Sequence, residues 1–159
     1  MKAAVLVTSD RVSRGEARDE SGEIAVELIS AMAEVVEKRI VPDEADRIRD
    51  VLLQWCAQGI DVVITVGGTG LSPRDVTACV TRSVLDKEAT GISAALIAQG
   101  LAQTPRAMLS SAAAGVRGRT LIVNLPGSKS AVRQYLQYLL PILPHALEMM
   151  HGKRHSEGS

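Results

Sequence analysis

The chain of 159 residues predicts a three-layer α/β fold around a mainly parallel sheet. Three observations carry that prediction. Short apolar runs closed by turn residues recur along the chain, and segments of ten to fourteen residues with helical apolar spacing separate them. The runs are continuously apolar, not alternating, as expected of strands covered by helices on both faces. The length suits one domain, expected over residues 1–151, with a flexible polar tail at 152–159.

The first element is a strand over Ala3–Val7, stopped by Thr8-Ser9-Asp10. Residues 10–22 are polar, with Gly15 and Gly22, and read as a loop. Apolar residues at 24, 25, 28, 29 and 32 predict a helix over Ile24–Met32. A β-branched strand over Val35–Val41 follows, closed by Pro42. Ile48, Val51, Leu52 and Trp55 place a helix over Ala45–Ala57, with Gly59 as its stop and Trp55 in the core. Asp61–Val66 is the clearest strand, bounded by Gly67-Gly68. Helices are expected over Ala78–Leu85 and Ile92–Ala102, strands over Ala107–Ser110 and Leu121–Leu125, and a helix over Ser130–Leu140 before Pro141 and Pro144.

Composition excludes several functions. Trp55, Tyr135 and Tyr138 are the whole aromatic inventory, which rules against modules that stack bases on rows of rings. Eighteen basic residues balance eighteen acidic ones, so no footprint for nucleic acid appears. The balance is uneven along the chain: residues 1–80 hold nine Lys/Arg against fourteen Asp/Glu, and residues 81–159 hold nine against four. Cys56 and Cys79 form no disulfide framework. The run Ala3–Val7 is too short for a signal core or a membrane span, so a cytoplasmic protein with no membrane partner is expected.

In a parallel α/β sheet, ligands bind beyond the carboxyl ends of the strands. Polar or glycine-rich segments follow five strand candidates there: Ser9-Asp10, Pro42-Asp43, Gly67–Asp75, Ser110-Ser111 and Asn124–Ser128. The strongest is Gly67-Gly68-Thr69-Gly70-Leu71-Ser72-Pro73-Arg74-Asp75, whose exposed N–H groups can cradle an anion. A tight strand-to-helix turn is the other reading of the same residues. Asn124-Leu125-Pro126-Gly127-Ser128-Lys129 places Gly127 and Ser128 at a helix start, where N–H groups and the dipole favour phosphate and Lys129 adds charge. Ser128 as a simple helix cap reads equally well. Asp10, Asp43 and Asp75 are the carboxylates that follow strands. Each alone is an ordinary turn residue, but together they suit Mg²⁺ held with substrate phosphates. His145, His151 and His155 lack any accompanying carboxylate motif and read as a polar tail.

In this order, Thr8-Ser9-Asp10-Arg11, Asp19-x-x-Gly22, Val41-Pro42-Asp43-Glu44, Gly67-Gly68-Thr69-Gly70, Arg74-Asp75-Val76-Thr77, Met108-Leu109-Ser110 and Asn124–Ser128 make a specific combination. The chain resembles the MogA/MoaB family of molybdenum-cofactor biosynthesis proteins over residues 3 to about 150. The resemblance implies a molybdopterin-binding fold, a homotrimer, and a molybdopterin adenylyltransferase that uses ATP as co-substrate with Mg²⁺ and releases pyrophosphate. Other proteins of the same biosynthesis are expected partners. Asp43 and Asp75 match the family's two key aspartates, expected to hold the metal and drive catalysis. Ser110 matches a serine that holds the pterin, and Ser9, Asp10, Gly67, Gly68, Thr69, Gly70, Ser72, Asn124, Pro126, Gly127, Ser128 and Lys129 complete the expected binding set.

The chain departs from the family pattern at three places. Ala78-Cys79 stands where Pro-Glu is usual, Thr90-Gly91 where Pro-Gly is frequent, and Ser111 where an arginine is common. These losses support an alternative, a MoaB-like paralogue that holds molybdopterin with little adenylylation. A nucleotide hydrolase of related fold, like the N-terminal domain of competence-damage proteins, fits the first-strand and glycine motifs less well.

Overall fold

The computed structural model describes residues 1–152, so His155 and most of the expected tail lie outside the described residues. The sheet has six strands in the order β2-β1-β3-β6-β5-β4: β1 (Lys2–Thr8), β2 (Glu34–Val41), β3 (Val62–Val66), β4 (Lys87–Glu88), β5 (Ala114–Arg117) and β6 (Thr120–Leu125). The first four in that order run parallel, and β5 and β4 close one edge antiparallel. The helices are α1 (Asp10–Ser13), α2 (Glu20–Ser30), α3 (Ala45–Ala57), α4 (Thr77–Val84), α5 (Thr90–Leu101), α6 (Lys129–Leu139) and α7 (Leu143–Met150).

The period of two in the strands builds both outer layers. Ala3, Val5 and Val7 of β1, with Val62, Ile64 and Val66 of β3, pack against α2, α5, α6 and α7. Ala4 and Leu6, with Val63 and Ile122, pack on the other face against Ile48, Leu52 and Trp55 of α3 and Val80 and Val84 of α4. Every residue of β3 is buried, as the unbroken apolar run requires. The three-layer architecture and the mainly parallel sheet are therefore as expected.

Four local readings change. The strand expected at 107–110 is a 3-10 turn, Pro105–Leu109, started by Thr104, whose hydroxyl accepts the Arg106 N–H at 3.3 Å. Proline at its first position fixes a helical φ, and no strand lies beside it to supply a ladder. Two strands outside that reading, β4 and β5, complete the sheet, and β5 joins β6 by a two-residue turn with Gly118 at φ 57°. The polar stretch 10–22 is not all loop: Ser9 Oγ accepts the Val12 N–H at 3.2 Å and starts α1. Likewise Asp19 Oδ1 accepts the Gly22 N–H at 2.9 Å and starts α2 four residues before its apolar stripe. Finally, Pro141 does not end the helical chain. A short turn, Leu140–Ile142, leads into α7, and Pro144 sits in its first turn, where a missing N–H costs nothing.

Candidate active site

The carboxyl ends of β1, β2, β3 and β6 lie at one edge of the sheet, because these strands are parallel and in register from Val7↔Ile40 and Val7↔Val66 to Val66↔Leu125. A cavity of about 1260 Å³ opens above them. That exceeds the roughly 300–1,000 Å³ of a site for one drug-sized ligand.

The glycine loop forms its floor. Gly67 (φ 102°) donates its N–H to Leu125 O at 3.0 Å, and a Cβ there would sit 2.4 Å from Thr8 O. Gly68 (φ 65°) leaves no room either: a Cβ would lie 2.1 Å from Thr77 Oγ1, which itself pairs with Thr8 Oγ1 at 2.8 Å. Only glycine meets both demands, a left-handed backbone and close approach. Among the described residues the N–H groups of Gly68, Thr69 and Gly70 have no acceptor, so they remain free for an anion. Ser111 braces the loop from outside, its N–H and hydroxyl both donating to Thr69 O at 2.8 and 2.9 Å.

The three aspartates meet but do not share one role. Asp10 and Asp43 are cross-tied, each backbone N–H donating to the other's carboxylate at 3.0 Å. Arg74 then takes both oxygens of Asp10, at 3.0 and 2.8 Å. The guanidinium and the Asp43 N–H hold the Asp10 carboxyl below its ordinary range. Asp43 moves the other way. Burial pushes it up, and the charges of Asp10 and Asp75 add to the rise against the pull of the Asp10 N–H. Its Oδ1 is the one enclosed side-chain polar atom without a hydrogen bond among the described residues. Asp75 Oδ2 accepts the Ser72 N–H at 3.0 Å, which fixes the turn beneath it. Asp43 and Asp75 line the cavity; Asp10, clamped by Arg74, does not.

Of the other expected binding residues, Ser9, Gly67, Gly68, Thr69, Gly70, Ser110, Pro126, Gly127 and Ser128 line the cavity. Ser128 caps α6 by accepting the Ala131 N–H at 3.3 Å, while the N–H groups of Gly127 and Ser130 have no acceptor among the described residues. Capping and an open anion cradle coexist there. Three residues stand apart from the lining. The Ser72 hydroxyl accepts the Arg74 N–H at 3.2 Å. Lys129 pairs with Glu20 at 2.8 Å. Asn124 is 1 % exposed and wholly used inside the sheet, donating to Thr65 and Thr81 hydroxyls at 2.9 Å and accepting the Ala113 N–H at 3.0 Å.

The cavity also has lining residues that the motifs did not mark: Thr104 and Arg106 on the 3-10 turn, and Arg133, Gln134 and Tyr135 on α6. For Arg133 and Gln134 the signal in the sequence is the helical spacing of 130, 133, 134 and 137, which turns one face of α6 toward the strand ends. Among the described residues no group of three or more His, Cys, Asp or Glu side chains is arranged to hold a metal ion. No helix among them is long and apolar enough to cross a membrane.

Known proteins resemble the chain in sequence and fold. The chain is 40% identical to gephyrin of Dictyostelium discoideum over 160 residues, covering 94% of this chain and 22% of that protein. It is 36% identical to a molybdopterin adenylyltransferase of Helicobacter pylori, covering 93% of this chain and 86% of that one. The solved structure of the molybdopterin biosynthesis enzyme MoaB from Thermus thermophilus superposes with a TM-score of 0.89 at 44% identity, covering 96% and 97% of the two chains. The chain spans half or less of the length of several curated relatives it matches. Residues 4–145 match throughout one domain family, and the chain belongs to that family, described as "Probable molybdopterin binding domain".

Proposed function

We propose that this protein adenylylates molybdopterin in molybdenum-cofactor biosynthesis, through a single domain over residues 1–151 that works in the cytoplasm as a homotrimer. The observation that carries the reading is Asp43 Oδ1, an enclosed carboxylate oxygen with no partner on the wall of a cavity whose floor is a free N–H cradle. A buried anionic oxygen left unpaired is costly unless a cation meets it.

The donor set fits Mg²⁺. That ion is commonly held by one or two carboxylates together with substrate phosphates and water. Of the four carboxylates that line the cavity, Lys38 holds Asp19 and Lys129 holds Glu20, which leaves Asp43 and Asp75. Asp43 and Asp75 would hold it, and its charge would offset the repulsion between the phosphates of the two substrates. The chain's own groups do the rest. Free N–H groups of Gly68, Thr69 and Gly70, with those at the start of α6, hold phosphate oxygens without reorganising. Ser110 and the aliphatic lining seat the pterin. An oxygen of the molybdopterin phosphate forms a bond to the α-phosphorus of ATP. The bond from that phosphorus to the bridging oxygen breaks, and pyrophosphate leaves with the electron pair. The nucleophile is already ionised, so no side chain needs to remove a proton.

The test is direct. The protein incubated with molybdopterin, ATP and Mg²⁺ yields adenylyl-molybdopterin and pyrophosphate in equal amounts. A second reading, a molybdopterin-holding paralogue, rests on Ser111, an uncharged residue bonded to Thr69 O. Calorimetry that records molybdopterin binding while no ATP-dependent product forms decides for it.

A further inference from the structure

The carbonyls of the glycine loop are anchored, and they decide where its free N–H groups point. A trans peptide is planar, with its C=O and N–H directed oppositely. Gly68 O accepts the Thr77 N–H at 3.1 Å, which aims the Thr69 N–H the other way. Thr69 O takes two donors from Ser111, the N–H at 2.8 Å and the hydroxyl at 2.9 Å, and the same peptide carries the Gly70 N–H. The Ser111 hydroxyl also lies 3.4 Å from Gly70 O. Ser111 is not among the residues lining the cavity, so it holds the loop from behind. Gly70 itself runs so close to Asp75 that a Cβ there would sit 2.7 Å from Asp75 Oδ2. Whatever fixes Thr69 O thus sets the direction of a free N–H beside a lining carboxylate.

Ser111 is gripped in turn. Arg82 of α4 donates from Nη2 to Ser111 O at 2.9 Å and to Ala112 O at 3.5 Å, while its Nε donates to Glu88 Oε1 of β4 at 3.1 Å. The peptide between Ser111 and Ala112 is therefore held on both sides. Arg82 takes its oxygen, and its N–H donates to Ser110 Oγ at 3.2 Å. Ser110 lines the cavity and Arg82 does not. One guanidinium outside the cavity sets two groups inside it: the Gly70 N–H through Ser111 and Thr69 O, and the Ser110 hydroxyl through the Ala112 N–H. The brace also coincides with the chain's departures from the family pattern. Ser111 stands where an arginine is common, and Cys79 lies three residues before Arg82 on the same helix face.

We propose that Arg82 and Ser111 are positioning residues for the anion cradle, aiming the Gly70 N–H and the Ser110 hydroxyl without touching a substrate. For its effect on rate the proposal rests on the adenylyl-transfer reading above; for its effect on anion binding it does not. Donors fixed before the charge arrives stabilise it without reorganising, so the stiffness of the loop matters as much as its N–H groups. Hydrogen bonds from a guanidinium are stronger than neutral ones, which makes Arg82 the firm end of the chain from Glu88 to Thr69. On this account the uncharged Ser111 is a working part of the cradle: it supplies two donors to one carbonyl, and the charge stands behind it on α4.

Amide NMR of the isotope-labelled whole protein, titrated with inorganic phosphate, reads the cradle directly. In the wild type the Gly70 amide signal moves as phosphate binds. In Arg82→Gln that movement shrinks and the phosphate Kd rises about fivefold, as expected when one charge-assisted bond behind the loop is lost. Ser111→Ala, which keeps its N–H on Thr69 O, gives a smaller change in the same direction. Arg82→Lys, which keeps a charged donor for the Ser111 carbonyl, restores most of the response. In the adenylylation assay kcat of Arg82→Gln falls about tenfold, more than KM for ATP rises, because a misaimed donor is felt most at the transition state. Circular dichroism melts confirm that the variants fold. A Gly70 amide that answers phosphate equally in wild type and Arg82→Gln overturns the proposal, whatever the melting temperatures, since Arg82 then serves stability alone. A wild-type Gly70 amide that phosphate leaves unmoved overturns it too, for there is then no cradle to aim. Failure of the adenylyl-transfer reading shows separately, as absence of product from the wild-type protein.

Discussion

The two walls of the cavity are made in opposite ways. The acidic wall hangs from the ends of parallel strands: Asp43 follows β2, Gly67–Asp75 follows β3, and each arrives with its loop already turned. The basic wall is assembled from α6 and a 3-10 turn, elements that bring single side chains from helix faces. On the acidic wall the backbone is the tool, with free N–H groups and two cramped glycines. On the basic wall the side chains are. Changes to the first should therefore destroy geometry, and changes to the second should weaken one interaction at a time.

The largest expected effect tests that difference on the acidic wall. Gly68→Ala forces a residue at φ 65° whose Cβ meets Thr77 Oγ1 at 2.1 Å, and should cost about 3 kcal/mol with nearly complete loss of adenylylation. Denaturant melts and the product assay measure both; a stability change under 1 kcal/mol breaks the account of the loop. Next comes Asn124→Ala, which strands the Ala113 N–H and removes a shared partner of Thr65 and Thr81 in the sheet. About 2–3 kcal/mol of stability should go, since each buried group left unpaired is costly. A melt unchanged from wild type would place Asn124 in a role other than the structural one.

On the basic wall, Arg106→Gln alone should raise KM for one of the two phosphate-bearing substrates severalfold and leave the melting temperature within a degree, because the side chain is exposed and makes no ion pair among the described residues. Steady-state kinetics with ATP and molybdopterin varied in turn shows which, and a pure kcat effect would move Arg106 to the reacting centre.

The smallest effect is the pH dependence of the Asp10–Arg74 clamp. The Asp10 carboxyl is held below its ordinary value of 3.8, so its contribution is present above that pH and is lost as pH falls through the lowered folded-state value. The stability gap between wild type and Asp10→Asn should be constant near neutrality and narrow below about pH 3.8. Urea midpoints at pH 7, 5 and 3 check this, and a gap that widens in acid would mean that the clamp does not favour the ionised form.

The same contrast explains what the sequence made legible. The acidic wall was readable because each part is a contiguous segment at a strand end: three glycines in four positions, or an aspartate after a β-branched run closed by proline. Parallel strands put all such segments at one edge, so topology followed from the alternation of apolar runs and helical stripes. Asp10 and Lys129 show the limit. Position beyond a strand does not say what a side chain will pair with, and Arg74 and Glu20 claim them from elsewhere in the chain. Tyr135 is core, and the glycine that lets its hydroxyl through lies thirty-five residues away in another helix, a pairing no local pattern marks. The antiparallel edge escaped because Arg117-Gly118-Arg119-Thr120 lacks an Asn-Gly or Asp-Gly turn signal, and the apolar residues of Pro105–Leu109 resemble a short strand.

Single-turnover formation of adenylyl-molybdopterin, with saturating ATP and Mg²⁺, compares wild type with Asp75→Asn most directly. Removing the carboxylate while keeping its shape should slow the step by about 10²–10³-fold, the loss expected for one preorganised group at a charged transition state. Folding and AMP binding should persist. Equal rates for the two proteins would contradict the assignment of the acidic wall as the centre of reaction.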